Sequence, residues 1–193
     1  MNIEKIKNAK TKYIGKNIEY FEEIDSTQEE AKRNIKKYDN GTIIIADKQI
    51  KGKGTHGRIW YTNLDNIAMT IIIKPKLKVK QLEGFTTSIA KNIQMAIKDL
   101  YNLDLEIKLP NDLLLNDKKI CGILTEITTI KEKVKEIFIG IGFNVNEKNF
   151  PIEVLKIATS LSKETNKNYD REDIICKIIE NLEEEIEKIK NLN

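Results

Sequence analysis

Two apolar, β-branched runs with a glycine-rich loop between them constrain this chain more than any other feature. The runs are Thr42-Ile43-Ile44-Ile45-Ala46 and Ile67-Ala68-Met69-Thr70-Ile71-Ile72-Ile73, both of strand composition. Between them comes Gln49-Ile50-Lys51-Gly52-Lys53-Gly54-Thr55-His56-Gly57-Arg58-Ile59-Trp60. Gly52, Gly54 and Gly57 have the spacing of a dinucleotide-binding loop, but that loop opens directly into a helix whose N-terminus receives the pyrophosphate. Here Tyr61 leads into a turn, Thr62-Asn63-Leu64-Asp65-Asn66, and then into the second strand. Strand–loop–strand is the wrong context for dinucleotide binding. Nor does a Lys-Ser or Lys-Thr follow a glycine at the spacing of a Walker phosphate loop. Glycine lacks Cβ and tolerates φ > 0, so this loop can bring backbone N–H groups close to an anion. Lys48, Lys51, Lys53, His56 and Arg58 surround it, with no acid between Asp47 and Asp65. An anion-binding loop is one reading and a solvated hairpin tip the other.

The remaining elements form a scaffold for such a loop. Tyr20 to Ile24 reads as a strand, followed by Asp25-Ser26-Thr27-Gln28-Glu29-Glu30, where Ser26 or Thr27 can cap a helix and Glu29 or Glu30 can complete a capping box. That helix is predicted to run to about Tyr38. Leu82, Phe85, Ile89, Ile93, Ile97 and Leu100 recur every three or four residues, the stripe of an amphipathic helix. Strands are predicted over 105–109, ending at Pro110, then over 119–127 after an Asn116-Asp117 turn, and over 135–141. Asp170 can cap a last helix carrying Ile174, Ile175, Ile178, Ile179, Leu182, Ile186 and Ile189. The expected architecture is α+β, a mixed sheet with helices packed on it, as a single domain over residues 1–193. Net charge is only +3, from 33 basic and 30 acidic side chains, so no global polyanion-binding surface is implied. Cys121 and Cys176 lie far apart in apolar surroundings and read as buried free thiols of a reducing cytosol. No apolar run reaches transmembrane length, and the N-terminus lacks a signal-peptide core, so a cytoplasmic protein without membrane contacts is expected.

Four polar spots stand at strand ends, where ligand crevices form. They are Ser26-Thr27-Gln28, Gln49 before the glycine loop, Lys108-Leu109-Pro110-Asn111-Asp112, and Gly140-Ile141-Gly142-Phe143-Asn144-Val145-Asn146. Each has a plain structural reading as cap, loop, strand end or turn. Lys108 alone reads as solvent-facing, because Leu105, Ile107 and Leu109 occupy the other face of its strand.

Joined in order with Lys119-Ile120-Cys121-Gly122-Ile123-Leu124-Thr125-Glu126, these motifs resemble the catalytic domain of biotin–protein ligases over about residues 13–190. The resemblance implies a fold shared with class II aminoacyl-tRNA synthetases and lipoate ligases. It also implies a two-step reaction: biotin and ATP, with Mg²⁺ on the phosphates, give biotinyl-AMP, and a lysine of a biotin carboxyl carrier protein then takes the biotin. By resemblance, Ser26, Thr27, Gln28, Gln49, Gly52, Lys53, Gly54 and Thr55 line the biotin pocket. Lys108 contacts the biotin carboxylate and α-phosphate as the catalytic cation. Lys53, Arg58, Trp60, Asn111 and Asn144 serve ATP. No metal-ligating residue is assigned. The chain departs from the family pattern where Lys53 and Thr55 replace arginines, where Leu109 replaces a common tryptophan and where Gln28 replaces asparagine. Lysine keeps charge but loses the bidentate fork, and threonine loses both. Neither the small β-barrel domain that usually follows the catalytic domain nor the DNA-binding domain that precedes it in some members is expected, so DNA binding is not. A homodimer is compatible with the pattern. Two other readings stand: a lipoate or octanoate ligase of the same fold, and a catalytically weak biotin-binding module.

Overall fold

In the computed structural model, which describes residues 1–191, the chain runs α1 (Ile3–Lys7), β1 (Ile18–Ile24), α2 (Thr27–Arg33), β2 (Ile43–Gln49), β3 (Ile67–Ile73), α3 (Phe85–Tyr101), β4 (Glu106–Lys108), β5 (Asp112–Leu115), β6 (Lys118–Ile130), β7 (Lys133–Phe143), α4 (Leu161–Thr165) and α5 (Arg171–Asn191). The strands form one mixed sheet in the order β1-β2-β3-β7-β6-β5-β4. β1 and β2 are parallel, as befits strands joined through a helix, and the other neighbours are antiparallel. The α+β expectation holds.

Side-chain alternation divides the sheet into two unlike faces. Ile67, Met69, Ile71 and Ile73 of β3 and Ile137, Ile139, Ile141 and Phe143 of β7 are buried in one large core with Phe85, Ile89, Ile93 and Ile97 of α3 and Ile174, Ile175, Ile178 and Leu182 of α5. The four-residue spacing in α3 is what lets one stripe lie along the sheet. On the opposite face, Ile44, Ile72 and Phe138 make a small second core with Ala31 and Tyr38 beneath α2. The rest of that face carries no helix.

Several local expectations hold. Asp170 caps α5, its carboxylate accepting the Asp173 N–H at 3.0 Å. Asn116 and Asp117, with φ of 51° and 62°, form the turn between β5 and β6. Cys121 is buried and Cys176 half-buried, both as free thiols. Others change. α2 ends at Arg33, and a 3₁₀ turn over Ile35–Lys37 replaces its last part. Ser26 stands at the N-cap without capping, so the capping box does not form; Glu30 binds Arg33, Asn34 and Tyr38 instead. β5 occupies a stretch between two expected strands where no element is expected from the sequence. α1 and α4, five residues each, are too short for periodicity to reveal. One carboxylate takes three successive N–H groups of the N-terminal segment: Glu183 of α5 accepts from the backbone of Lys12, Tyr13 and Ile14 at 2.5, 3.0 and 2.9 Å.

Candidate functional site

The helix-free part of the sheet is a trough. Its rows are Ala68–Gly142–Gly122 and Thr70–Gly140–Leu124, across β3, β7 and β6. Three of six positions have no side chain. A Cβ on Gly140 would lie 2.8 Å from the Gln28 Oε1, one on Gly122 would lie 3.0 Å from both Lys119 Cε and Trp60 Cζ3, and one on Gly142 would overlap the Trp60 indole. The glycines therefore create the space that neighbouring side chains and a ligand share.

The start of α2 forms one wall, with Ser26, Thr27 and Gln28 all buried. Gln49 Oε1 accepts from Thr27 N at 2.8 Å and from Thr27 Oγ1 at 3.2 Å, and its amide donates to Thr62. The Thr70 hydroxyl lies 2.9 Å from Thr27 Oγ1 and 3.0 Å from Gln28 Oε1. The Gln28 amide donates to Glu126 at 2.9 Å. Ser26 Oγ, in contrast, is 1% exposed and has no partner. A lost cap costs about 1 kcal/mol and an unmet buried hydroxyl more, so this serine is not placed for local stability.

Residues 52–60 fold over the trough as a hairpin lid. Trp60 N donates to Gly52 O at 2.9 Å and Gly54 N to Arg58 O at 2.8 Å. Gly52 is required at its place, because a Cβ there would collide with the Trp60 carbonyl. His56 (φ 57°) and Gly57 (φ 73°) make the left-handed tip, with His56 exposed. Arg58 donates to Thr55 Oγ1 at 3.0 Å and to its carbonyl at 3.2 Å. Beneath the lid lies a cavity of about 40 Å³, room for about three waters. A second cavity of about 350 Å³ adjoins it, walled by Ile59, Tyr61, Phe150, Val154, Ile157 and Asn144. Gly54, Thr55, Trp60 and Lys119 line both, so they form the partition between the two.

The cation at that partition is Lys119, which sequence reasoning missed. Its ammonium sits 2.7 Å from Asp112 Oδ1 and 5.4 Å from the Trp60 ring centroid. Strand alternation from the inward-facing Cys121 and Ile123 would send Lys119 into the core. The register shift between Leu113 and Leu114 leaves Ile120 as an extra residue in β6, and this bulge turns Lys119 onto the trough, across Gly122. Lys108, expected to be the catalytic cation, lies apart from that partition. It stands in the same row, paired with Asp112, but on the outermost strand, exposed and outside both cavities. Two strand spacings, about 10 Å, separate it from Gly122.

The other expected residues divide unevenly: Lys53 and Asn111, expected with ATP beside Arg58 and Asn144, line the first cavity alone. Ser26, Thr27, Gln28, Gln49, Lys53, Gly54, Thr55, Trp60 and Asn111 line the first cavity; Gly54, Thr55, Arg58, Trp60 and Asn144 line the second; Gly52 lines neither. Thr70, Leu124 and the floor glycines were not singled out for the pocket, although the Gly140-x-Gly142 alternation facing Gly122 is a readable signal. Electrostatics around the wall favour fixed charges. Arg33 holds the Asp25 carboxyl down at about 2, and Lys32, then Lys53, hold Glu29 below the usual carboxylate range. Burial pushes the Cys121 thiol up, away from thiolate chemistry. Among the described residues no group of three or more His, Cys, Asp or Glu could hold a metal, and no helix is long and apolar enough to cross a membrane.

Comparison with known proteins agrees with this geometry. Residues 20–144 match the model of the biotin/lipoate A/B protein ligase family. The chain is 34% identical over 174 residues to the bifunctional ligase/repressor BirA of Bacillus subtilis, a match covering 88% of this chain and 54% of that protein. It is 32% identical over 124 residues to the biotin–[acetyl-CoA-carboxylase] ligase of Paracoccus denitrificans, covering 63% and 51%. The chain thus spans about half the length of the curated relatives it matches. Among solved structures, the biotin protein ligase of Aquifex aeolicus in complex with biotin and ATP superposes with a TM-score of 0.78 at 30% identity, covering 92% of this chain and 73% of that one.

Proposed function

The chain belongs to the biotin/lipoate A/B protein ligase family, and on that premise we propose that it is an ATP-dependent biotin–protein ligase. The observation that carries the choice of biotin is Ser26 Oγ, buried without a partner in a wall that also presents Thr27, Gln28, Gln49 and Thr70. A ureido ring brings two N–H donors and a carbonyl to such a wall. A dithiolane brings none and would leave the serine unmet, a cost of about 1–3 kcal/mol. The acid then takes the first cavity, which must widen as the lid lifts because it has room for only about three waters with the lid closed, its carboxylate at the partition, and ATP occupies the second, its base against Phe150, Val154 and Ile157.

The chemistry needs no protein nucleophile. A carboxylate oxygen attacks the α-phosphorus, the bond from that phosphorus to the bridging oxygen breaks, and pyrophosphate leaves. Two anions must approach, and Lys119, Lys53 and Arg58 supply the positive field; Asp112 orients Lys119. Mg²⁺ enters on the triphosphate as part of the substrate, which suits an ion that keeps its waters and takes few protein ligands. The lid excludes water from the acyl phosphate. In the second step an uncharged carrier lysine attacks the acyl carbon, AMP leaves, and an amide forms with loss of a proton. The acceptor is a biotin carboxyl carrier domain, and the free thiols Cys121 and Cys176 suit the cytoplasm.

The test is ATP–pyrophosphate exchange with the purified chain. Exchange that requires biotin and ignores lipoate and octanoate supports the ligase. Exchange with lipoate instead would transfer the assignment to that acid, and biotin binding without exchange would leave a binding module.

A further inference from the structure

The lid's backbone bonds join its two arms to each other, not to the sheet. What fastens its first arm is one ion pair, Lys53 Nζ to Glu29 Oε1 at 3.0 Å, and among the described residues Lys53 has no other. The same oxygen, buried from solvent, lies 2.6 Å from Lys32 Nζ. Lys32 in turn contacts both oxygens of Glu126 at 3.2 and 3.1 Å, and Glu126 accepts the Gln28 amide at 2.9 Å. Gln28 lies over Gly140 on the trough floor. We propose that Glu29 is a positioning residue: its carboxylate is the dock on which Lys53 shuts the lid, and the chain Lys32–Glu126–Gln28 fixes that dock to the floor of the ligand cavity.

The charges explain why Glu29 and not another residue controls the lid. Lys53, Glu29, Lys32 and Glu126 alternate in sign and balance. Neutralising Glu29 removes the one ion-pair partner that Lys53 has among the described residues and leaves it facing Lys32, so attraction is replaced by repulsion. Neutralising Glu126 leaves the dock itself in place. Glu29 touches neither cavity itself, so it reaches the ligand only through the residues it holds: Lys53 on the lid and, through Lys32 and Glu126, Gln28 on the wall.

The dock is independent of which acid the cavity binds, so it is tested first on the ligand-free protein. Amide hydrogen exchange of residues 53–58 is measured for the parent, Glu29→Gln, Lys53→Gln and the double variant. Each single variant is expected to exchange about three- to tenfold faster, the scale for losing a partly exposed pair. The double variant should be no faster than either single one, because both break the same contact. About 1 M KCl should bring the parent to the same rate. In the loaded protein, Glu29→Gln should release biotinyl-AMP faster by a similar factor. Parental exchange in Glu29→Gln, or additive effects in the double variant, would overturn the proposal. If Glu29→Gln does not fold, the parent in high salt against Lys53→Gln reads the same pair, and salt-insensitive exchange in the parent overturns it equally. Failure here leaves the biotin reading untouched, and a protein that ignores biotin can still show the dock.

Discussion

β7 presents two different surfaces within one strand. Ile137, Ile139, Ile141 and Phe143 face α3 and α5 and are fully packed, whereas Gly140 and Gly142, interleaved with them, face the trough. One face is built from branched mass and the other from its absence. The first holds the sheet to its helices; the second leaves a place for an indole and a ligand. Stability and binding are thus assigned to alternate residues of the same segment, and they should be separable by substitution.

The strongest way to break this comparison is the pair Gly142 and Ile139 of the same strand. Gly142→Val should abolish biotin binding in calorimetry, because the side chain enters the space of Trp60, while urea unfolding changes far less. Ile139→Ala, in the core and lining neither cavity, should cost about 2–5 kcal/mol in urea unfolding yet bind biotin normally in the folded fraction. Normal binding by the valine variant, or an unchanged midpoint for the alanine variant, would erase the division of labour between the faces.

Lys119→Ala should lower biotin-dependent pyrophosphate exchange by about 100-fold or more, the scale for removing a positioned electrostatic group, with a much smaller change in biotin affinity. Equal losses in both would mean that the lysine binds ground state and transition state alike. Thr55 sits on the partition where a cation could serve. Thr55→Arg should slow biotinyl-AMP release about tenfold, as a charge-assisted bond replaces a neutral one, and a filter-binding chase that shows no slowing would mean the lid holds the phosphate by other contacts. The smallest effect is expected at Lys108, outside both cavities: Lys108→Ala should stay within about threefold of the parent in the same exchange assay, since surface charges act weakly through solvent. A loss as large as that at Lys119 would bring the edge strand into the chemistry.

Much of this plan was readable in advance, for physical reasons that differ by segment. β3 and α3 announce themselves because burial on both faces or along one stripe fixes their residue types. The loop was identifiable because Gly52 must let the chain pass the Trp60 carbonyl. Lys119 was not readable, because a bulge has no composition: Ile120 and Cys121 are both buried, and only the pairing shows which of them is extra. Ser26 misled in the opposite sense. A serine before a helix is favoured as a cap, and nothing local reveals that its hydroxyl is withheld from the helix and left facing a cavity.

Trp60 is the only tryptophan in the chain, and it stands where the lid, Lys119 and the two cavities meet. Its emission therefore reports a single location without background from elsewhere. A half-buried indole beside an ammonium and one displaced into water differ in colour and yield, so the protein carries its own optical probe of occupancy. Stopped-flow traces of that signal would time the arrival of each substrate separately, with no label attached.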